Sequence, residues 1–332
     1  MNNFWNGRKV LVTGAGGFTG SNLCNRLAEH QADVTAFLRK GGSERKLHEN
    51  VKIITGDLTN PEDCIRTMKD MDTVFNVAAI FRNVKGSEQQ LRDIHVHATE
   101  NLIRAAKQEG ARRFIHTSTM GVHGHVKNGP GNEETEFSPG DAYQETKVEG
   151  ELLAFKLSKE INLDLTVIRP CGIYGPGDTR FLKLVKPIKN RQFFMIGSGE
   201  THYHFVYIDD LVNGYMLAGE KPGAVGEAFL IGGSDAPTLN ELARKIAEIQ
   251  KVPAPKFKIP VWPIYYAGWA CEIIFGLFNI EPILHRRRVA FFTKNRDFTI
   301  SKAQNLLGYE PEVGLEQGLT SLIRWYESEG LV

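Results

Sequence analysis

The 332 residues carry 42% hydrophobic and 24% charged side chains, the balance of a chain that buries a core rather than one that stays disordered. A net charge of +1, with no basic run beyond Arg286-Arg287-Arg288, offers no electrostatic footprint for a polyanion, so nucleic acid is excluded as the expected partner. Cys24, Cys64, Cys171 and Cys271 lie far apart and form no C-x-x-C pair, which argues against a structural zinc or a disulfide framework and fits a reducing compartment.

In chain order, MNNFWNGRKVLVTG enters a strand almost at once and leaves no room for a signal peptide, so a cytoplasmic location is expected. Lys9–Thr13 reads as a strand, Thr19–His30 as a helix, and Val34–Leu38, Val51–Thr55 and Thr73–Asn76 as short apolar strands. A helix over Glu88–Glu109, a strand over Arg113–Thr117, a helix over Ala142–Glu160 and a strand over Leu165–Arg169 follow. Strands alternating with helices predict an α/β fold, a doubly wound parallel sheet covered on both faces. RPCGIYGPGD breaks that rhythm after Pro170. The predicted division is a doubly wound (Rossmann) domain over 1–170 and a smaller, partly discontinuous lobe over 171–332. Phe205–Ile208 and Ala228–Ile231, within the segment 203–231, are expected to return as strands to the main sheet. Thr238 with Glu241 forms a capping-box signal for a later helix.

The string VTGAGGFTG sets Gly14, Gly17 and Gly20 between a strand and a helix, with Phe18 and Thr19 in the helix's first turn. Glycines allow a tight turn and close backbone approach, and the helix N-terminus faces a pyrophosphate. The second strand ends at Leu38, where an acid that favours NAD is expected. Arg39, Lys40, Arg45 and Lys46 follow it instead. Arg39 and Lys46 suit a 2′-phosphate, so NADP is the expected cofactor, with NAD second. A merely solvated basic loop is the alternative. Asp57 and Leu58 fall at the place of an adenine contact, and Ala78 and Ala79 end the fourth strand beneath the cofactor.

Tyr143 and Lys147, in YQETK, share one helix face. An adjacent ammonium favours the phenolate, so a tyrosine there can exchange a proton with a carbonyl or hydroxyl near neutral pH. Tyr143 alone among the nine tyrosines has a Lys or Arg at that spacing, and the strand before its helix ends in Thr117, Ser118 and Thr119.

These strings, with STMGVHG, RPCGIYGPGD and HFVYIDDLV, resemble an extended short-chain dehydrogenase/reductase of the NAD-dependent epimerase/dehydratase superfamily. The resemblance implies a catalytic set of Thr119, Tyr143 and Lys147. Thr119 lies three residues before Val122, with Ser118 the runner-up. It also implies that Lys147 holds the nicotinamide ribose, that Thr117 lies at the cofactor, that Pro170 and Ile173 border the nicotinamide, and that the long helices form a homodimer. One departure is His95, which stands where the family often has Asn and puts that Asn's relay or water site in question.

For the substrate, Tyr203 occupies the place where sugar-nucleotide enzymes of this fold often carry a phosphate-pairing Arg, although His202 or Arg180 could compensate. The C-terminal part is similar to the 3β-hydroxysteroid and sterol-4-carboxylate 3-dehydrogenase branch in the run Ile259 to Leu284 and in ISKAQNLLGYEPEVGLEQGL. A secondary alcohol or ketone on a lipophilic, sterol-like or long-chain β-keto substrate is therefore expected. Trp262, Tyr265, Tyr266, Trp269, Phe275 and Phe278 would line its pocket or merely fill the lobe's core. Val261 to Leu284 also reads as a helix touching a membrane surface, or less readily as a span. The alternatives are a nucleotide-sugar epimerase, dehydratase or reductase, and a non-catalytic NADP sensor. The H-x-H pairs His95/His97, His123/His125 and His202/His204 come without an HExxH, so no metal is expected.

Overall fold

The computed structural model describes residues 3–42, 45–80, 88–127, 129–277 and 286–332. The first half runs β1 (Lys9–Thr13), α1 (Phe18–Glu29), β2 (Asp33–Arg39), β3 (Lys52–Gly56), α2 (Pro61–Met68), β4 (Thr73–Asn76), α3 (Glu88–Arg92), α4 (Ala98–Gln108), β5 (Arg113–Thr117), α5 (Ala142–Ile161) and β6 (Asp164–Pro170). The second half runs β7 (Gly172–Tyr174), α6 (Leu182–Lys189), β8 (Met195–Ile196), β9 (Phe205–Tyr207), α7 (Ile208–Glu220), β10 (Ala228–Ile231), α8 (Leu239–Ile249), β11 (Lys258–Ile259), α9 (Val261–Leu277), α10 (Arg286–Thr293), α11 (Ser301–Leu307) and α12 (Leu315–Ser328).

Among the described residues the main sheet has seven parallel strands in the order β10-β6-β5-β4-β1-β2-β3. Alternation along the strands divides the core in two. Val10 and Val12 join a cluster with Leu23 and Leu27 of α1. Leu11 faces the other way, into a cluster with Leu102 of α4 and Ala154 and Leu157 of α5. Both faces are thus covered, as a parallel sheet requires.

The returning strands behave differently from one another. Ala228–Ile231 does join the main sheet, beside β6. Phe205–Tyr207 instead pairs with β7 in a separate two-stranded sheet, which corrects the expectation that it returns to the main one. The reason lies in Pro170 and the following backbone, where Cys171 N–H bonds Ile231 C=O but Gly172 N–H turns to His204 C=O.

The predicted helix over Glu88–Glu109 contains one π-type turn at Asp93–His97. An unpredicted helix, α2, opens on Asn60, whose side chain accepts from Glu62 N–H, followed by Pro61 at the first helical position. Thr238 and Glu241 form the expected reciprocal capping box at α8. The C-terminal segment is tied to earlier parts of the chain by polar contacts. Buried Asp210 accepts the N–H groups of Glu312 and Val313, Tyr309 donates to Gly232 C=O, and Tyr326 donates to Asp178 C=O.

Candidate active site

The ends of β1, β4, β5 and β6 converge at the carboxyl edge of the sheet, and the strand order reverses between β1 and β4, where open α/β folds bind ligands. Gly14 has φ +68°, and a Cβ there would lie 2.8 Å from the Ala78 backbone. A Cβ on Gly20 would lie 2.4 Å from Gly14 C=O, so α1 rests directly on the turn. Gly17 caps α1 without a side-chain bond, which leaves the helix N-terminus facing outward at Phe18 and Thr19. This bare cradle fits a dinucleotide pyrophosphate.

Beneath it, buried polar groups bind the strand ends together. Thr13 Oγ1 donates to Asn76 Oδ1 and accepts from Ala78 N–H, while Asn76 Nδ2 meets Thr99 Oγ1 and His116 Nδ1. Burial and the Lys147 charge hold His116 well below the usual histidine range.

Tyr143 lies in the first turn of α5, which Asp141 caps by accepting Gln144 N–H. Four residues on, Lys147 is 2% exposed and donates to Thr117 C=O at the end of β5. Desolvation pulls its pKa down to about 8, against the opposing pull of Glu151 one turn further. Glu151 is itself fully buried and paired with Arg169 of β6 at 3.1 Å. Thr117 Oγ1 accepts from the Tyr215 hydroxyl. Thr119 is half-buried and its Oγ1 accepts Gly121 N–H at 3.1 Å, which leaves its own proton for another acceptor. Ser118 is buried, and its Oγ has no hydrogen-bond partner among the described residues.

The remaining candidates differ in how they are placed. Pro170 is buried at the end of β6, and Ile173 is half-buried in β7 with its C=O held by Arg180. Ala78 is half-buried and Ala79 exposed. Arg39 and Lys46 are exposed near the end of β2. Asp57 folds its carboxylate onto Thr59. The Leu58 side chain belongs to the core, so only its backbone is open to a ligand.

Within the basic cluster after β2, Arg45 is held by side-chain contacts. It packs 5.2 Å from the Phe18 ring centre and donates to Gly177 C=O, spanning from the glycine-rich turn to the loop after β7. Sequence spacing gives no sign of this contact across more than 130 residues.

Tyr203 stacks on Phe205 at 4.7 Å and lies 5.1 Å from Phe291, with the Arg296 guanidinium 5.2 Å over its ring. Trp262, Tyr265, Tyr266 and Trp269 face outward from the described residues. They are 67%, 42%, 61% and 48% exposed on α9, so burial in the lobe's core is not their state. Phe275 is half-buried, and Phe278 lies outside the described residues. No helix among the described residues is long and apolar enough to cross a membrane. Sequence reading also left His95 without a role. Its ring meets Tyr143 edge-on at 5.3 Å.

A family model described as the NAD dependent epimerase/dehydratase family matches residues 10–232. The chain is similar to a 3-beta-hydroxysteroid dehydrogenase of Mycolicibacterium neoaurum, 30% identical over 96% of this chain and 91% of the relative. It is also similar to a 2-alkyl-3-oxoalkanoate reductase of Stenotrophomonas maltophilia, 28% identical over 95% of this chain and 98% of the relative. Among solved structures, UDP-glucuronic acid 4-epimerase from Bacillus cereus in complex with NAD has a TM-score of 0.78 at 26% identity, covering 97% of this chain and 99% of that one.

The depressed pKa of Lys147 yields a stability prediction. Between pH 8 and 10.5 the folded protein holds fewer protons at Lys147 than the unfolded chain, so stability rises with pH across that window. Lys147→Met, measured by thermal denaturation without nucleotide, is expected to be more stable than wild type at pH 7, by on the order of 3 kcal/mol before the lost Thr117 bond is counted. That advantage should shrink above pH 8. A variant less stable than wild type throughout would contradict the charge-burial account.

Proposed function

The chain belongs to the NAD dependent epimerase/dehydratase family as an extended short-chain dehydrogenase-type enzyme, and we propose that it interconverts a secondary alcohol and a ketone on a lipophilic substrate. The observation that carries this is the ammonium of Lys147, buried one helical turn after Tyr143 and anchored on Thr117 C=O. A cation held there favours the phenolate and so readies Tyr143 for proton exchange.

In the reductive direction Thr119 and Tyr143 hydrogen-bond the substrate carbonyl oxygen, and the Tyr143 proton passes to that oxygen as the carbonyl carbon is reduced. The nicotinamide, when bound, supplies the hydride. Lys147 stabilises the phenolate that remains and holds the nicotinamide ribose, and Pro170 and Ile173 border the nicotinamide itself. Gly14, Gly17, Phe18, Thr19 and Gly20 receive the pyrophosphate. Thr117, Ala78 and Ala79 lie under the cofactor, and Asp57 and Leu58 meet the adenine. Arg39 and Lys46 read a 2′-phosphate, so NADP is favoured over NAD.

The substrate reading rests on Tyr203, which replaces a phosphate-pairing Arg and packs among Phe205 and Phe291. It draws further support from the steroid dehydrogenase and 3-oxoalkanoate reductase relatives. A second reading, a sugar-nucleotide substrate, is favoured by one observation: the Arg296 guanidinium sits over Tyr203 and supplies a cation where the expected Arg is missing. Residues 262, 265, 266 and 269 share a helix face beside exposed Lys256 and Lys258, with no acid from Lys251 to Cys271. That pattern supports peripheral contact with an anionic membrane surface. Exposed Leu152 on α5 supports a homodimer through the long helices.

The decisive assay offers a 3β-hydroxysteroid with NAD(P)+, a 2-alkyl-3-oxoalkanoate with NAD(P)H, and UDP-glucuronic acid with NAD+. Turnover of the lipophilic substrates is expected, and turnover of the sugar nucleotide alone would reverse the reading. Tyr143→Phe should bind cofactor nearly as wild type while losing turnover at least about a hundredfold; an active variant sinks the role given to Tyr143. Arg39→Ala should weaken NADPH binding much more than NADH, and equal losses count against the NADP preference. In flotation with phosphatidylglycerol vesicles the protein should rise with the lipid and Trp262→Ala/Trp269→Ala should not; a wild type that stays at the bottom removes the membrane contact.

A further inference from the structure

The partners of His95 determine its ring protons. The Ile80 N–H can only donate, and it meets His95 Nε2 at 3.2 Å, so that nitrogen is the acceptor. The proton therefore sits on Nδ1, which donates to Thr146 Oγ1 at 2.8 Å. The Thr146 hydroxyl in turn donates to the backbone C=O of Ala142 or of Tyr143, at 3.0 and 3.1 Å. An unbroken chain of bonds thus runs from Ile80, in the loop after β4, through the imidazole, to the turn that carries Tyr143.

The backbone of the same residue is held as tightly. His95 C=O accepts from Thr99 Oγ1 at 2.9 Å, and a Cβ on Gly150 of α5 would fall 2.2 Å from that oxygen. The π-type turn and the missing side chain at Gly150 let α5 lie against this segment. Burial and the charge of Lys147 push the His95 pKa down to about 3, so the ring stays neutral and the bond directions do not change across the working pH range.

We propose that His95 is a positioning residue for Tyr143, a strut that joins the end of β4 to the first turn of α5 and fixes the phenol relative to Lys147. This rests on the reading of Tyr143 as the proton donor. It also gives a function to the departure from the family's Asn. The side chain here makes two directed hydrogen bonds, and neither ring nitrogen is left over to relay a proton to substrate or water.

The two ends of the strut are separable by substitution. The Asn amide nitrogen falls near the place of Nδ1 and can still donate to Thr146, whereas the Gln carbonyl oxygen falls near Nε2 and keeps only Ile80. Tyr143 ionisation is read from the near-ultraviolet phenolate absorbance, as the difference between each protein and the same protein carrying Tyr143→Phe. His95→Gln and Thr146→Val are each expected to shift that ionisation upward in pH and to lower kcat about tenfold with KM within about twofold, on the substrate accepted in the assay above. The double variant should lose no more than either single one, because both cut one chain. His95→Asn, which keeps Thr146 but gives up Ile80, cuts the same chain at its other end and should show the same upward shift and the same loss in kcat.

An unchanged phenol ionisation and kcat in His95→Gln would overturn the proposal and leave His95 as core filling. Additive losses in the double variant would overturn it equally. Turnover by Tyr143→Phe would instead overturn the reading of Tyr143 itself, and the phenol titration would still report whether the strut exists.

Discussion

A buried ammonium sets the terms for the carboxyl edge of the sheet. Lys147 is almost fully enclosed, and the carboxylate one helical turn away, Glu151, is already engaged by Arg169. Two cations share one anion in a dry space, where stripping a charge of water costs several kcal/mol even after relaxation. The ammonium must therefore be met by dipoles, and it reaches Thr117 C=O at the end of β5. That contact demands that α5 pack closely onto the sheet and onto the π-type turn before α4. Gly150 makes the approach possible, since any side chain there would collide with His95 C=O.

The same constraint organises the polar layer at the strand ends. Thr13, Asn76, Thr99 and His116 bond one another across β1, β4, β5 and α4, so the turn that bears Gly14 and the loop that bears Ala78 are held at a fixed separation. Apart from His116 Nε2, which has no partner among the described residues, these polar atoms are paired, and paired buried groups rigidify their surroundings. The glycine-rich turn and the helix that carries Tyr143 and Lys147 are thus both tied to the same strand ends. The outer parts are attached through Arg45 and through the buried side chains of Asp210, Tyr309 and Tyr326.

Much of this was readable from local pattern. The strands Lys9–Thr13, Thr73–Asn76 and Arg113–Thr117 have the predicted bounds because each is a short apolar run closed by turn residues. Helix α2 escaped notice although Asn60-Pro61 is a good start signal, because its eight residues give the hydrophobic period little length to show itself. Phe205–Tyr207 reads correctly as a strand, yet which strand it joins depends on where the chain turns after Pro170, and periodicity carries no information about pairing. The aromatic stripe of α9 is equally ambiguous in one dimension. Only accessibility separates aromatics that fill a core from aromatics that face outward.

The amino-acid order by itself determined the doubly wound class, the glycine-rich turn and the Tyr143–Lys147 spacing. Each of these is a matter of neighbours within a turn or a strand, where backbone sterics and helical period act directly. Tertiary structure alone decided that Lys147 is buried against β5 and shares Glu151 with Arg169. It also decided that Arg45 reaches Gly177, that Arg296 lies over Tyr203, and that His95 spans from Ile80 to Thr146. These contacts join residues far apart in the chain, and their energies come from desolvation and bond direction, which exist only once the sheet and its helices have closed around them.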